Sequence, residues 1–290
     1  MNNLGFLFAL IGSVFSALYV VPKKLSCLKP IVYVFFMGLG FFAASALALA
    51  LQLPNEPFFH PLLLVACLGG IIYTVASNFV LEAIDRIGLA KANQWKGLQG
   101  PIGILMIMLA LSEFLQTKVV LIFCAAIFIT GAAMLFTVNG KNNSRTDPKG
   151  ILYAVLAAFF YGIFALIQKY MSIMGFIQMQ QIYIALFIAI SSGAYLLFTK
   201  EPVKIIDKQN LLPIIGGGIY YLCSIFSSIA FGLIPGSIAF MIHQLNAVWL
   251  LFIGIVAFHE INWQKYWCRI FLGLVSSLLG VFILLFAQGA

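Results

Sequence analysis

The stretch KANQWKGLQGP, residues 91–101, places two lysines, an asparagine and two glutamines against the apolar run PIGILMIMLALSEF. The chain is 63% hydrophobic and only 8% charged, so such groups are conspicuous. An ionisable side chain at membrane depth is costly and marks a functional site by default. On a helix, residues three, four and seven apart share a face. Asn78, Glu82 and Asp85 form one such stripe, and Asn93, Lys96, Gly97 and Gly100 form a second. His243, Asn246 and Ala247 form a third, with Gln244 beside them, and Tyr220, Ser224, Ser227 and Ser228 a fourth, with Tyr221 adjacent. The candidate solute-binding residues are Asn78, Glu82, Asn93, Lys96, Tyr220, Ser224, His243 and Asn246. Glu82 and His243 are the candidates for proton coupling, because burial and neighbours readily move such pKa values.

Each has a plainer alternative. Lys96 either lines a cavity, bridges to Glu82, or snorkels to the interface. Asp85 and Arg86 read as an interfacial cluster, with Glu82 one turn deeper. His243 also fits a packing role, and the Ser and Tyr of the fourth stripe fit bonds between helices.

Other chemistries find little support. The three histidines, at 60, 243 and 259, lie in no HExxH motif, and no GxSxG is present. A membrane-embedded enzyme is therefore the weakest reading, with no cofactor or metal implied. No Walker motif supplies ATP. The five cysteines (27, 67, 124, 223, 268) show no pairing pattern and read as small apolar residues. The net charge of +8 is concentrated in short loops, which makes it a topology signal rather than a nucleic-acid one.

These side chains need elements to position them. A mean hydropathy of +1.09 excludes a soluble domain. Ten apolar runs of helix-spanning length are present, at about 4–21, 31–52, 61–84, 89–111, 118–138, 150–171, 179–198, 209–232, 235–258 and 267–287. The expected fold is an all-α integral membrane protein with ten transmembrane helices. The first run lacks a basic flank and an Ala-x-Ala site, so it reads as a retained helix rather than a signal peptide. Thirteen of the 16 basic residues fall in the odd-numbered loops or at their edges, for example Lys23, Lys24 and Lys29, or Lys200, Lys204 and Lys208. That bias makes those loops cytoplasmic and turns both termini outward.

The chain is also written twice. Shifted by 147 residues, 70–113 falls on 217–260 without a gap, and eleven of 44 positions are identical. They include Gly70/Gly217, Tyr73/Tyr220, Ser77/Ser224, Leu98/Leu245 and Glu113/Glu260, and Lys96 falls on His243. A shift of 145 aligns 5–24 with 150–169 and sets Lys24 on Lys169. The expected division is a first repeat at 1–138, a hydrophilic joint at 139–149 and a second repeat at 150–290. Five spans per copy invert the second copy, and inverted repeats are the architecture of secondary transporters. Glu113 and Glu260 read as span-end acids paired with Lys118 and Lys265, while Lys24 and Lys169 suit helix C-termini. Gly97, Gly100 and Pro101 predict a kink in span four beside a cavity.

The duplicated segments, each a span with Gly-rich or Pro-Gly punctuation followed by a long span closing on ALSEF or AFHEI, resemble the drug/metabolite transporter superfamily, in its ten-span branch with two EamA-like repeats. The basic doublet YVVPKKLS resembles the sugar-uptake members of that superfamily. The resemblance implies a secondary transporter in a multi-pass arrangement, in a bacterial inner membrane. It would move a small polar metabolite such as an amino acid, sugar or organic acid by alternating access, coupled to an ion such as the proton or by exchange. Its partners are then the solute and the bilayer, with a monomer expected and a homodimer allowed. A channel or a membrane scaffold is the runner-up.

Overall fold

The computed structural model describes residues 3–52, 56–87, 92, 95–115, 117–136, 147–201, 203, 207–258 and 263–287, with the backbone alone at Gln52, Asp85 and Trp263. The chain is all-helical. Hydrocarbon offers a backbone no hydrogen-bond partners, so an apolar run of this length closes its own bonds as a helix. The order is α1 (Asn3–Leu18), α2 (Val20–Leu25), α3 (Pro30–Gln52), α4 (Leu63–Ile87), α5 (Gln99–Ala110) and α6 (Val119–Phe136). Then follow α7 (Pro148–Ile173), α8 (Met179–Thr199), α9 (Leu211–Leu233), α10 (Gly236–His243), α11 (Asn246–Val256) and α12 (Trp263–Ala287).

Among the described residues, eight helices are long and apolar enough to cross a membrane, with α1–α2 and α10–α11 each counted as one. They match eight of the ten runs read from the sequence. The runs numbered four and five appear as the shorter helices α5 and α6. Leucines and phenylalanines such as Leu51, Leu197 and Phe198 stay exposed on the outer faces, as a lipid-facing surface requires.

Loop contacts sort the helix ends into two sets. Lys29, before α3, pairs with Glu201, after α8, at 2.6 Å, and Arg86, at the end of α4, reaches Asp147, before α7, at 3.3 Å. The hydrogen bond to Asp147 raises the Arg86 pKa further. At the other ends, the Glu56 carboxylate, between α3 and α4, accepts from the backbone N–H groups of Gln178 (2.9 Å) and Met179 (2.8 Å) where α8 starts. An anion suits unsatisfied N–H groups at a helix N-terminus. α3 and α8 are thus antiparallel and tied at both ends.

Close packing rests on small residues, since lipid leaves no hydrophobic drive between helices. A Cβ on Gly70 of α4 would come within 2.5 Å of the Ile184 carbonyl oxygen on α8, and one on Gly217 of α9 would overlap Met37 and Phe41 of α3. The two glycines are the duplicated pair, and each lets its helix touch a neighbour's backbone.

The expected kink in span four is a break instead. Trp95 and Lys96 are helical, Gly97 and Leu98 form a turn, and α5 restarts at Gln99. Pro101 then lies in the first turn of α5, where its missing N–H costs nothing. Span nine breaks at Gln244 and Leu245, between α10 and α11, which is the same place under the 147-residue offset. α5 packs on α10, and the Gln99 amide donates to the Gln244 carbonyl oxygen at 3.1 Å.

Candidate functional site

A cavity of about 70 Å³ sits where the two broken helices meet α1, α4, α7 and α9. Five of the expected site residues line it together: Lys96, Tyr220, Ser224, His243 and Asn246. Several lining residues are related by the 147-residue offset, namely Tyr73 with Tyr220, Lys96 with His243 and Gln99 with Asn246. The Tyr73 and Tyr220 rings meet with centroids 5.1 Å apart. Tyr19 approaches Tyr220 at 5.0 Å, and Tyr161 approaches Tyr73 at 5.7 Å, so four tyrosines wall the space.

The polar groups are held by specific partners. His243 Nδ1 and the Ser227 hydroxyl share a hydrogen bond of 3.1 Å. The Asn246 amide donates to Ser16 Oγ at 3.0 Å, fixing the start of α11 against α1. Ser224 sits in a ladder: Gln168 Nε2 donates to its Oγ at 2.8 Å, and that hydroxyl donates to Gln181 Oε1 at 2.5 Å. Gln181 Nε2 in turn donates to Ser228 at 2.9 Å. Ser77 bonds Tyr161 Oη at 3.1 Å, which orients that ring. Lys96 Nζ lies 4.9 Å from the centroid of the Tyr161 ring.

Other expected residues are not brought here. Glu82 has a side chain 57% exposed at the end of α4 and pairs with Arg86 at 3.6 Å. It lies outside the cavity, and the alternative bridge between Lys96 and Glu82 is not formed. Hydrophobic burial of Ala83 and Ile87 on the inward face turns Glu82 outward. Asn78, half-buried on α4, does not line the cavity either. Asn93 and Glu260 lie outside the described residues, as does the side chain of Asp85.

Glu113 also departs from expectation. Its partner is not Lys118 but Lys169, at 3.5 Å, and both side chains are buried. The Glu113 carboxylate further accepts from the backbone N–H groups of Gly236 (2.6 Å) and Ser237 (2.9 Å) and from the Ser237 hydroxyl, capping α10. Lys169 serves not its own helix end but that of α9, donating to the carbonyls of Phe231 (2.6 Å) and Ile234 (3.0 Å). One ion pair therefore closes the Pro-Gly turn between α9 and α10.

Sequence reasoning missed Tyr19, Tyr73, Gln99, Tyr161, Gln168 and Gln181. Tyr73 was within reach as the identical mate of Tyr220, and Gln168 and Gln181 as amides inside apolar runs.

A family model described as a sugar transport protein matches residues 7–287. The chain belongs to the sugar transport protein family. That family sits among the sugar transporters related to the drug/metabolite transporters, so the resemblance to that superfamily and to its sugar-uptake members holds. Membership points to a membrane transporter of sugars rather than an enzyme. No curated protein sequence matches this sugar transport family member. A solved crystal structure of a protein superposes on it with a TM-score of 0.75 at 13% identity, covering 97% of this chain and 95% of that one, which shows a shared fold.

Proposed function

We propose that this sugar transport family member is a secondary carrier that moves a monosaccharide across the membrane by alternating access around the tyrosine-walled cavity. The observation that carries this reading is the cavity lining itself. Tyrosine rings suit the C–H faces of a pyranose, while Gln99, Ser224, His243 and Asn246 supply donors and acceptors for hydroxyls. Lining residues related by the 147-residue offset support a site shared by two inverted halves, 1–138 and 150–290, joined at 139–149. The packing supports it too: α1 lies on α9 as α4 lies on α7, and α3 on α9 as α4 on α8. Span one exchanges with six, two with seven and three with eight under that operation.

The loop contacts support ten crossings. Arg86 meets Asp147, so the chain between them, which contains α5 and α6, crosses an even number of times. Each shorter helix, with its adjoining residues, then makes one crossing. The basic side is cytoplasmic in this reading, in a bacterial inner membrane, and one chain suffices as the working unit. With Glu82 outside the cavity, His243 is the remaining candidate for coupling to protons, and exchange requires none.

Reconstitution tests the proposal. Proteoliposomes preloaded with unlabelled monosaccharide should show saturable counterflow of the labelled sugar without ATP, and Tyr220→Ala and Asn246→Ala should each cut it at least tenfold. Non-saturable flux at channel rates would refute the carrier reading.

A further inference from the structure

Among the described residues, Lys96 faces no anion: no carboxylate lies within ion-pair distance of it, and its contact is the face of Tyr161. The chain has eight acidic residues, and six have described side chains. Every one of the six is engaged elsewhere. Glu56 caps α8, Glu82 pairs with Arg86, and Glu113 holds Lys169 and the start of α10. Asp147 caps α7 and reaches Arg86, Glu201 pairs with Lys29, and Asp207 accepts from the Gln209 N–H. Among the described residues, the cavity lining contains no acid.

A cation at membrane depth is costly without an opposite charge, and a ring face supplies only part of one. The rest of the lining is built for hydroxyls and ring faces. From this pairing we propose that the cargo is a monosaccharide bearing one carboxylate, a hexuronate or aldonate, whose anion binds Lys96 while its ring or polyol chain lies among the tyrosines. This deepens the carrier reading above and rests on it. One lysine matches a single negative charge. A hexose phosphate, close to a dianion at neutral pH, asks for more cations than the lining shows, and a neutral hexose leaves Lys96 uncompensated.

The test compares ligands on purified protein in detergent and in proteoliposomes. The panel is glucose, galactose and mannose, the matching uronates, gluconate, and glucose 6-phosphate. The result expected is competition of at least one sugar acid in counterflow at a concentration at least tenfold below that of its neutral counterpart and of the phosphate. Lys96→Met should erase that preference, lowering sugar-acid affinity at least tenfold more than it lowers neutral-hexose affinity, and Lys96→Arg should restore it. The wild-type comparison decides even where Lys96→Met fails to fold. Equal or tighter binding of a neutral hexose or of the phosphate overturns the sugar-acid assignment and leaves the carrier reading standing. If no member of the panel binds or exchanges, the sugar-carrier reading itself falls, and this inference with it.

Discussion

Glu113 shows how much one buried carboxylate can hold. It caps α10, binds the Ser237 hydroxyl and neutralises Lys169, which in turn occupies the end carbonyls of α9. Removing one partner of such a pair leaves an uncompensated buried charge, a loss of about 3–5 kcal/mol. Glu113→Ala should therefore strongly lower unfolding stability in detergent, measured by denaturant titration, and the double variant with Lys169→Met should recover part of the loss. Glu82→Gln, at an exposed pair, should stay within about 0.5 kcal/mol. The sequence marked Glu113 by duplication yet suggested Lys118 as partner, because a neighbour in the chain is visible there and a neighbour in space is not. The same limit hid the Ser224 ladder: the serine stood out on its own helix, while Gln168 and Gln181 come from two others.

At the scale of helices, eight of the ten apolar runs were legible to within a few residues, because length and hydropathy decide them. The breaks were not. Gly97 and Pro101 suggested a kink, but nothing in the letters of span nine announces a turn at Gln244 and Leu245, which carry neither glycine nor proline. The turn is stabilised from outside, by the bond from Gln99 and the packing of α5 on α10. Glycine positions give the sharpest contrast between element and context. Gly217→Leu should separate α9 from α3 and lower stability by about 1–3 kcal/mol, the scale of overpacked cores. Gly218, one residue on, has open space where a Cβ would go, so Gly218→Ala should be neutral or stabilising by up to about 1 kcal/mol from helix propensity alone. Thermal unfolding of the two variants side by side checks both.

For the molecule as a whole, the distribution of basic residues was readable before any coordinates, and the loop ion pairs gather Lys29 and Arg86 with partners from distant loops. Cys27 is exposed in the first of those loops. In a Cys268→Ser background, a membrane-impermeant maleimide should label Cys27 in inverted vesicles and not in intact cells, and the reverse pattern would turn the whole assembly over. What composition withheld was the state of the centre. A dry cavity of roughly 150 Å³ accommodates one benzene. The space here is about 70 Å³, and a hexose has twice the heavy atoms of benzene. On the carrier reading proposed above, a hexose then needs a roomier conformation than this one, in exchange with it. Any measured affinity is then the intrinsic affinity of the open form diluted by the fraction of time spent open. A variant that shifts that fraction tenfold changes apparent affinity by about 1.4 kcal/mol with no sugar contact altered, so weak binding is as much a statement about populations as about the groups that touch the ligand.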